Sequence, residues 1–372
     1  MAPHTWSHLG DTVSDATHHM YYRGQRIKEA YYRGEKIWGE GDTGGLIISL
    51  RVRGDFNVKI KGENLSYSIN DGKRIFTKSS IIRIAHSSEE YTVNYYATSA
   101  TFFALNEHNP DWDVTPQNLL QILTPFGEVC SNIKDFSYCF ADCESLTAIP
   151  SDLFFNTPKV TTFMTCFYQC YSIASIPSGL FDNTPNVELF DGCFQRCRSI
   201  VSMPSGLFSN NLKLRSASGC FDECALLTAI PSGLFSDKPQ LFDVAGCFNG
   251  CKKITSIPSD LFSNTPNLRY MDTCFANCSK ISSIPSNLFD DTPNIRGFRM
   301  CFYGCLGLTS IPTGLFDNIQ NATDFSACFF YCYNLRGNAP ELWNKYPSAD
   351  GTRCFYMCSR LSNYSNIPSA WK

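Results

Sequence analysis

Apolar positions in the C-terminal two-thirds of the chain recur in a fixed phase that belongs to neither a long helix nor a single strand. One unit, read from Phe163, places apolar side chains at Phe163, Cys166, Phe167, Cys170, Ile173, Ile176, Leu180, Phe181 and Val187. From Phe163 to Cys170 the spacing is i, i+3, i+4, i+7, one face of a helical or 3₁₀ segment. The step then changes. Ile173 and Ile176 flank a short extended stretch that Pro177 ends, because proline lacks a donor and holds its predecessor in extended geometry. Ser178-Gly179 and Asp182-Asn183-Thr184-Pro185 are turn chemistry. Each unit is therefore expected to be one coil of strand, turn and helix-like segment.

The unit Cys-Phe-x-x-Cys begins at Cys139, Cys166, Cys193, Cys220, Cys247, Cys274, Cys301 and Cys328, a step of 27 residues each time, and a ninth follows 26 residues on at Cys354. These pairs hold every cysteine of the chain but Cys130. A period of that size falls in the range of leucine-rich repeats. No single coil can bury its apolar face, so stacking must join the faces into one core, and both ends need caps. Pro116 to Leu123 reads as a short amphipathic helix that closes the front. The last unit, with Leu342-Trp343 in place of Leu-Phe and a late Ile367-Pro368, reads as the end cap.

The signature Cys-Phe-x-x-Cys-x-x-Leu-x-x-Ile-Pro-x-x-Leu-Phe, over about residues 130–372, resembles the BspA-type leucine-rich repeats of bacterial surface proteins and gut-phage virion proteins. The resemblance implies a repeat solenoid that binds proteins or glycans. The paired cysteines depart from many such repeats, which carry only the second one, and this reopens the redox question.

Upstream the pattern differs. Tyr21-Tyr22-Arg23-Gly24 and Tyr31-Tyr32-Arg33-Gly34, the second closing on Ile37-Trp38, suggest two hairpins. This segment looks like the Tyr-x-x-Gly-x-x-Ile-Trp element near the termini of phage tail and minor structural proteins, which implies particle anchoring through Tyr21, Tyr22, Tyr31, Tyr32 and Trp38. An ordinary two-hairpin linker is the alternative. Gly39 to Gly45 reads as a flexible hinge. Alternating runs at 47–52, 56–60, 80–84 and 91–96, with turns at Gly62-Glu63-Asn64 and Asn70-Asp71-Gly72, predict a small all-β domain. The division is thus an anchoring segment over 1–44, a β-sandwich spacer over 45–115, joined by a linker from Asn106, and a capped solenoid over 116–372.

A net charge of −3 without a basic run argues against nucleic acid as the main partner. The first residues, Met-Ala-Pro-His-Thr-Trp-Ser-His, do not read as a secretory signal, and no apolar run is long enough to enter a membrane. All six histidines (His4, His8, His18, His19, His86 and His108) precede the repeats, so the cysteines find no imidazole with which to build a zinc site, and His18-His19 reads as a solvated linker. No metal, cofactor or catalytic residue is expected, and no phosphate loop or nucleophile motif appears. A disulfide within one pair is disfavoured, because i and i+4 on a helix stand farther apart than a disulfide spans. Bridges between coils stay open if the coils stack at strand spacing. Reduced thiols serving as small core residues are the expectation.

The phenylalanines of Cys-Phe and Leu-Phe hold one phase throughout and are assigned to the core. The two residues between each Cys-Phe and the second cysteine vary from coil to coil, which marks them as exposed. Tyr303, Phe330, Tyr331 and Tyr356 among them form a candidate contact patch. The sequence thus predicts a mixed α/β solenoid of nine BspA-type repeats preceded by a small all-β domain, and no enzyme. The function expected is that of a phage virion protein, in a tail or head appendage, assembled in the host cytoplasm and present in multiple copies. Its N-terminal segment would hold other virion proteins, and its solenoid a host surface protein or glycan. A purely structural particle component and a bacterial cell-surface adhesin are the alternatives.

Overall fold

A computed structural model describes residues 44–86, 89–106 and 115–372, together with the backbone of short strands between 21 and 39. In that first stretch β1 (Tyr21–Tyr22) pairs antiparallel with β2 (Gln25–Arg26), and β3 (Glu29–Tyr32) with β4 (Glu35–Gly39). His18-His19, residues 40–43 of the expected hinge and residues 107–114 of the expected linker lie outside the described residues.

Two antiparallel sheets follow, built from β5 (Gly45–Arg53), β6 (Phe56–Glu63), β7 (Ser66–Ile69), β8 (Ile75–Phe76), β9 (Ile81–Ile84), β10 (Glu90–Ala97), β11 (Ser99–Ala104) and β12 (Leu119–Ile122). One sheet runs β12-β5-β10-β7-β8 and the other β11-β6-β9. Alternate residues point inward, and Leu50, Val52, Phe56, Val58, Ile82, Val93, Tyr95 and Phe103 meet in one buried cluster. Asn70 and Asp71 both take positive φ and the Gly72 N–H donates back to the Ile69 carbonyl at 2.8 Å, a tight turn within the longer loop that returns β7 to β8.

The helix expected over Pro116–Leu123 is not formed. Pro116–Asn118 is a single 3₁₀ turn, and the chain then extends as β12 against β5, with Ile122 opposite Leu50. Open backbone groups on β5 outcompete a helix too short to sustain itself. The sandwich therefore draws a strand from the segment assigned to the solenoid. The two parts also share their core: Phe103 packs on Phe126 and Phe140, the Leu105 N–H donates to the Cys139 carbonyl at 2.9 Å, and the Phe126 N–H to the Leu153 carbonyl at 2.9 Å. Gly127 sits at the seam, where a Cβ would stand 1.8 Å from the Leu46 carbonyl oxygen. The sandwich caps the first coil rather than acting as a detached spacer.

From Asp135 onward the chain winds as stacked coils. One parallel bridge per coil runs from Asp135 through Thr162, Leu189, Ser216, Asp243, Tyr270, Gly297 and Asp324 to Asp350. This ladder lies just ahead of the Cys-Phe segment. The extended stretch expected at Ile-x-x-Ile-Pro bridges its neighbour only at Ser175–Ser202 among the described residues. The expected helical Cys-Phe-x-x-Cys segment is also corrected, since the one α-helix among the described residues is α1 (Leu342–Lys345).

The reason is a backbone device. The residue before each paired cysteine has positive φ, as at Thr165 (50°) and Gln169 (57°), or at Gly192 (59°) and Arg196 (62°). Each such residue reverses the winding after an i to i+3 turn, so the segment stays in one layer where a helix would climb. Alternate N–H groups then reach the next coil: Phe163 to Leu189, Thr165 to Asp191, Phe167 to Cys193 and Gln169 to Gln195, at 2.7–2.9 Å. Coils therefore stack at strand spacing, about 4.8 Å. The Cys-Phe rings stack face to face, with Phe167 and Phe194 5.4 Å apart and 3° from parallel. Each buried ring contributes roughly 1.5–3 kcal/mol.

The last coil is closed by a filled hole. Phe136, Phe163, Phe190, Phe298 and Phe325 share one phase, and Gly351 takes that place in the ninth coil. Trp371 fills it, its indole where a Gly351 Cβ would stand, 2.0 Å from Cε2, and its carbonyl accepting from the Phe355 N–H at 2.8 Å.

Candidate functional site

Stacking consumes the core phases and leaves, among the exposed positions of each coil, an edge beside the paired cysteines: the two variable residues that follow Cys-Phe and the one after the second cysteine. Variation there does not always mean exposure. Ala141, Ala276, Gly250 and Gly304 are small enough to be covered by their neighbours. Elsewhere the edge is open.

Tyr303, Phe330, Tyr331 and Tyr356 do come together. Phe330 stacks between Tyr303 and Tyr356, at 5.4 and 4.8 Å, and Tyr331 stands across the stack at 89° to Phe330 and 4.3 Å from it. The stack puts ring edges rather than faces toward solvent. Tyr333 extends the patch 5.5 Å from Tyr331, and the Arg353 guanidinium lies 5.9 Å from the Tyr356 ring. Tyr333 is 44% exposed, Met357 42% and Leu306 42%. Tyr333 and Leu306 escaped the sequence reading, although the position after the second cysteine varies as freely as those between (Tyr171, Arg198, Ala225, Lys252, Leu306 and Tyr333). This composition, aromatic with Met and Arg, is the one enriched in contact surfaces.

Toward the N-terminus the same edge is polar. The Gln195 amide donates to one Asp222 oxygen at 2.7 Å and the Asn249 amide to the other at 2.8 Å, and Asn277 donates to Asn249 Oδ1 at 3.2 Å. Burial raises the Asp222 carboxyl above its ordinary value, opposed by these amide donors. Beside this row lies a shallow groove of about 560 Å³ between Arg198, Glu223, Asn249, Lys252 and Asn277, floored by Ala225 and Gly250. Arg198 pairs with Glu223 at 2.8 Å and lies over Tyr171. Arg196 donates to the Tyr168 hydroxyl at 3.1 Å.

The cysteines point the other way. All nineteen are buried and unbridged. Each second cysteine of a pair from Cys170 on donates its thiol to the Phe carbonyl of the preceding coil, as Cys170 does to Phe140 at 3.1 Å and Cys224 to Phe194 at 3.2 Å. Burial pushes the Cys278 thiol up to about 12, so it stays protonated, whereas nucleophiles and metal ligands are thiolates. Among the described residues no group of His, Cys, Asp or Glu is placed to hold a metal ion, and no helix is long and apolar enough to cross a membrane. The side chains of Tyr21, Tyr22, Tyr31, Tyr32 and Trp38 lie outside the described residues.

No family model and no curated protein matches this chain. Among solved structures it is similar to a leucine-rich repeat protein of T. pallidum, at 16% identity over 65% of this chain and 93% of that one, with a TM-score of 0.31. It is likewise similar to a leucine rich cell surface protein from Faecalibacterium prausnitzii A2-165, at 16% identity over 82% and 93%, with a TM-score of 0.29. A third likeness is to the Toll–Spatzle complex of Drosophila, at 16% identity over 62% and 45%, with a TM-score of 0.20. None of the three is described as a virion protein. All the same, the coils described above place this chain, by its own geometry, among repeat solenoids.

Proposed function

We propose that the chain is a non-catalytic recognition protein, an adhesin-like solenoid whose Cys-Phe-x-x-Cys edge holds a partner. One observation carries this. The regular apolar columns of the repeat are consumed by stacking, other exposed apolar residues such as Phe155, Val201, Leu212 and Leu226 fall outside them, and coils seven to nine set Tyr303, Phe330, Tyr331, Tyr333, Tyr356 and Met357 together at the surface, ring against ring. An open aromatic patch is unfavourable for a free monomer and useful to one that docks.

The setting proposed is a bacterial cell surface, which is how the Faecalibacterium neighbour is described. The duplicated Tyr-Tyr-Arg-Gly motif favours a second reading, display on a phage particle with the N-terminal hairpins as its hold. Fractionation separates the two, since the chain is found either in the cell envelope or in purified virions. The recognition role is tested by binding of the purified protein to host cells. A combined Tyr331→Ser, Tyr333→Ser and Met357→Ser variant is expected to lose binding by about tenfold or more with its melting temperature unchanged. Retained binding would end this reading.

A further inference from the structure

The polar half of the edge is not explained by an aromatic docking patch. We propose that the groove between Arg198, Glu223, Asn249, Lys252 and Asn277 is a subsite for an acidic oligosaccharide lying along the solenoid axis. The proposal rests on the reading of the solenoid as a recognition scaffold and names the class of ligand.

The groove is open and shallow, floored by Ala225 and Gly250 and walled by polar groups. It lacks the enclosed apolar lining that a drug-like ligand needs. Its walls are planar amide, carboxylate and guanidinium groups, the side chains that can engage two neighbouring hydroxyls at once. Donors in the row run in one direction, from Asn277 to Asn249 to Asp222. Each amide therefore keeps a second N–H for a ligand, and Asn277 Oδ1 stands at the end of the row.

Charge narrows the class. Glu223 neutralises Arg198 at 2.8 Å and approaches Arg196 at 3.5 Å. The Lys252 ammonium, exposed at the rim, makes no hydrogen bond or ion pair among the described residues. The groove thus offers hydroxyl-binding groups and one unneutralised cation, which fits a sugar bearing a carboxylate. Nucleic acid would need several cations in a row.

Period separates sugar from peptide. Gln195, Asp222 and Asn249 hold one phase in three successive coils, about 4.8 Å apart, with Asn277 one residue farther along its coil, whereas an extended polypeptide repeats its backbone groups every second residue, about 6.7 Å, and slips out of register within two coils. A pyranose chain linked across its rings advances by about one coil height per sugar and keeps step.

The test is calorimetric titration of the full chain with a β-linked hexasaccharide carrying one uronate per disaccharide, and with the same hexasaccharide after its carboxyl groups are reduced to alcohols. The uronate form is expected to bind roughly fivefold tighter, and Lys252→Ala to bring the two within about twofold. Asn249→Ala and Asn277→Ala, checked for unchanged melting temperature, each weaken both probes roughly fivefold. The Tyr331→Ser, Tyr333→Ser and Met357→Ser chain keeps its sugar affinity, so loss of cell adhesion and loss of sugar binding report on different sites. Absence of binding by either probe at millimolar concentration overturns the proposal, as does binding that Asn249→Ala and Asn277→Ala leave unchanged.

Discussion

Consider what happens to this core when the pH is raised. Burial pushes the thiols of Cys130, Cys278 and Cys358 up to about 12. The same cause lifts thirteen further cysteines, from Cys139 to Cys332, well above their ordinary value. In the unfolded chain a thiol ionises near 9, while in the fold it keeps its proton. The folded state therefore binds more protons between about pH 9 and 12, and stability, complete below that window, falls as pH rises through it. Each thiol accounts for less than about 1 kcal/mol at pH 9 and for about 1 kcal/mol at pH 10. Over sixteen thiols this is several kcal/mol and then on the order of 15 kcal/mol, against a usual domain stability of about 5–15 kcal/mol. Tyr91 and Tyr346, pushed up to about 12 by burial, act in the same direction. Lys238, whose ammonium burial holds below its ordinary value, acts in the opposite one.

The array should consequently unfold between about pH 9 and 10 in a strong reductant, long before its arginines titrate. Urea unfolding followed by far-UV circular dichroism at pH 7.5, 9 and 10 measures this. Replacing Cys220, Cys247 and Cys274 with alanine removes three of the linked protons and should shrink the loss at pH 10 by about 3 kcal/mol. A transition midpoint constant to pH 10, or native thiols that react with a chromogenic disulfide as fast as unfolded ones, would refute the reasoning.

Other perturbations test the coil itself. Gly351→Ala puts a methyl group into the Trp371 indole. It should eject the C-terminal turn, lower the melting temperature and shift tryptophan emission to the red; an unshifted spectrum would show that Trp371 does not seal the array. Thr165 is a β-branched residue at φ 50° with a buried hydroxyl that finds no partner, at a phase where Gly192, Gly219 and Gly246 stand in the next coils. Thr165→Gly should therefore stabilise by about 1 kcal/mol in urea unfolding, and a loss of stability would contradict the role given to that position. Cys224→Ser keeps a donor for the Phe194 carbonyl and should cost less than Cys224→Ala, which loses the bond and leaves a void, by about 1 kcal/mol. Equal losses would show that the thiol–carbonyl bond is idle.

Much of this architecture was legible in the sequence because stacking is strict. A side chain that touches its counterpart one coil away must recur at the same phase, so the step between Cys166-Phe167 and Cys193-Phe194 exposes the solenoid directly. What was not legible is the local backbone. The spacing of Phe163, Cys166, Phe167 and Cys170 suits a helix face equally well, and periodicity of side chains cannot report a reversal of φ. One signal was present: glycine precedes the first cysteine at Gly192, Gly219 and Gly246 and the second at Gly250 and Gly304, with Asn277 and Asp142 in the same role. These are the residues that tolerate a left-handed φ. Pro116–Leu123 misled for a different reason, since its apolar pattern is satisfied by a strand once β5 offers an edge. The aromatic patch is legible because its residues vary where their counterparts do not matter to the core, and Tyr333 is not, because it lies one position past the second cysteine, outside the variable pair that the Cys-Phe-x-x-Cys unit frames.

The same strictness bears on where recognition can reside. A coil that must present Phe, Cys, Ile and Leu at fixed phases has little freedom left, and that freedom is concentrated on the edge where the backbone turns at the left-handed residues. Along this edge the chain changes character, from Tyr168, Tyr171, Arg196 and Arg198, through the amide row at Asp222, Asn249 and Asn277, to the aromatic stack ending at Tyr356. Packing of the Cys-Phe column does not require such a gradient, because that column runs unchanged beneath it, with Phe221, Phe248, Phe275 and Phe302 in parallel steps of 5.6–5.8 Å. A surface serving only solubility would mix charges without order along the axis. An ordered change above a constant Cys-Phe column is what the proposed recognition role would use, one coil at a time.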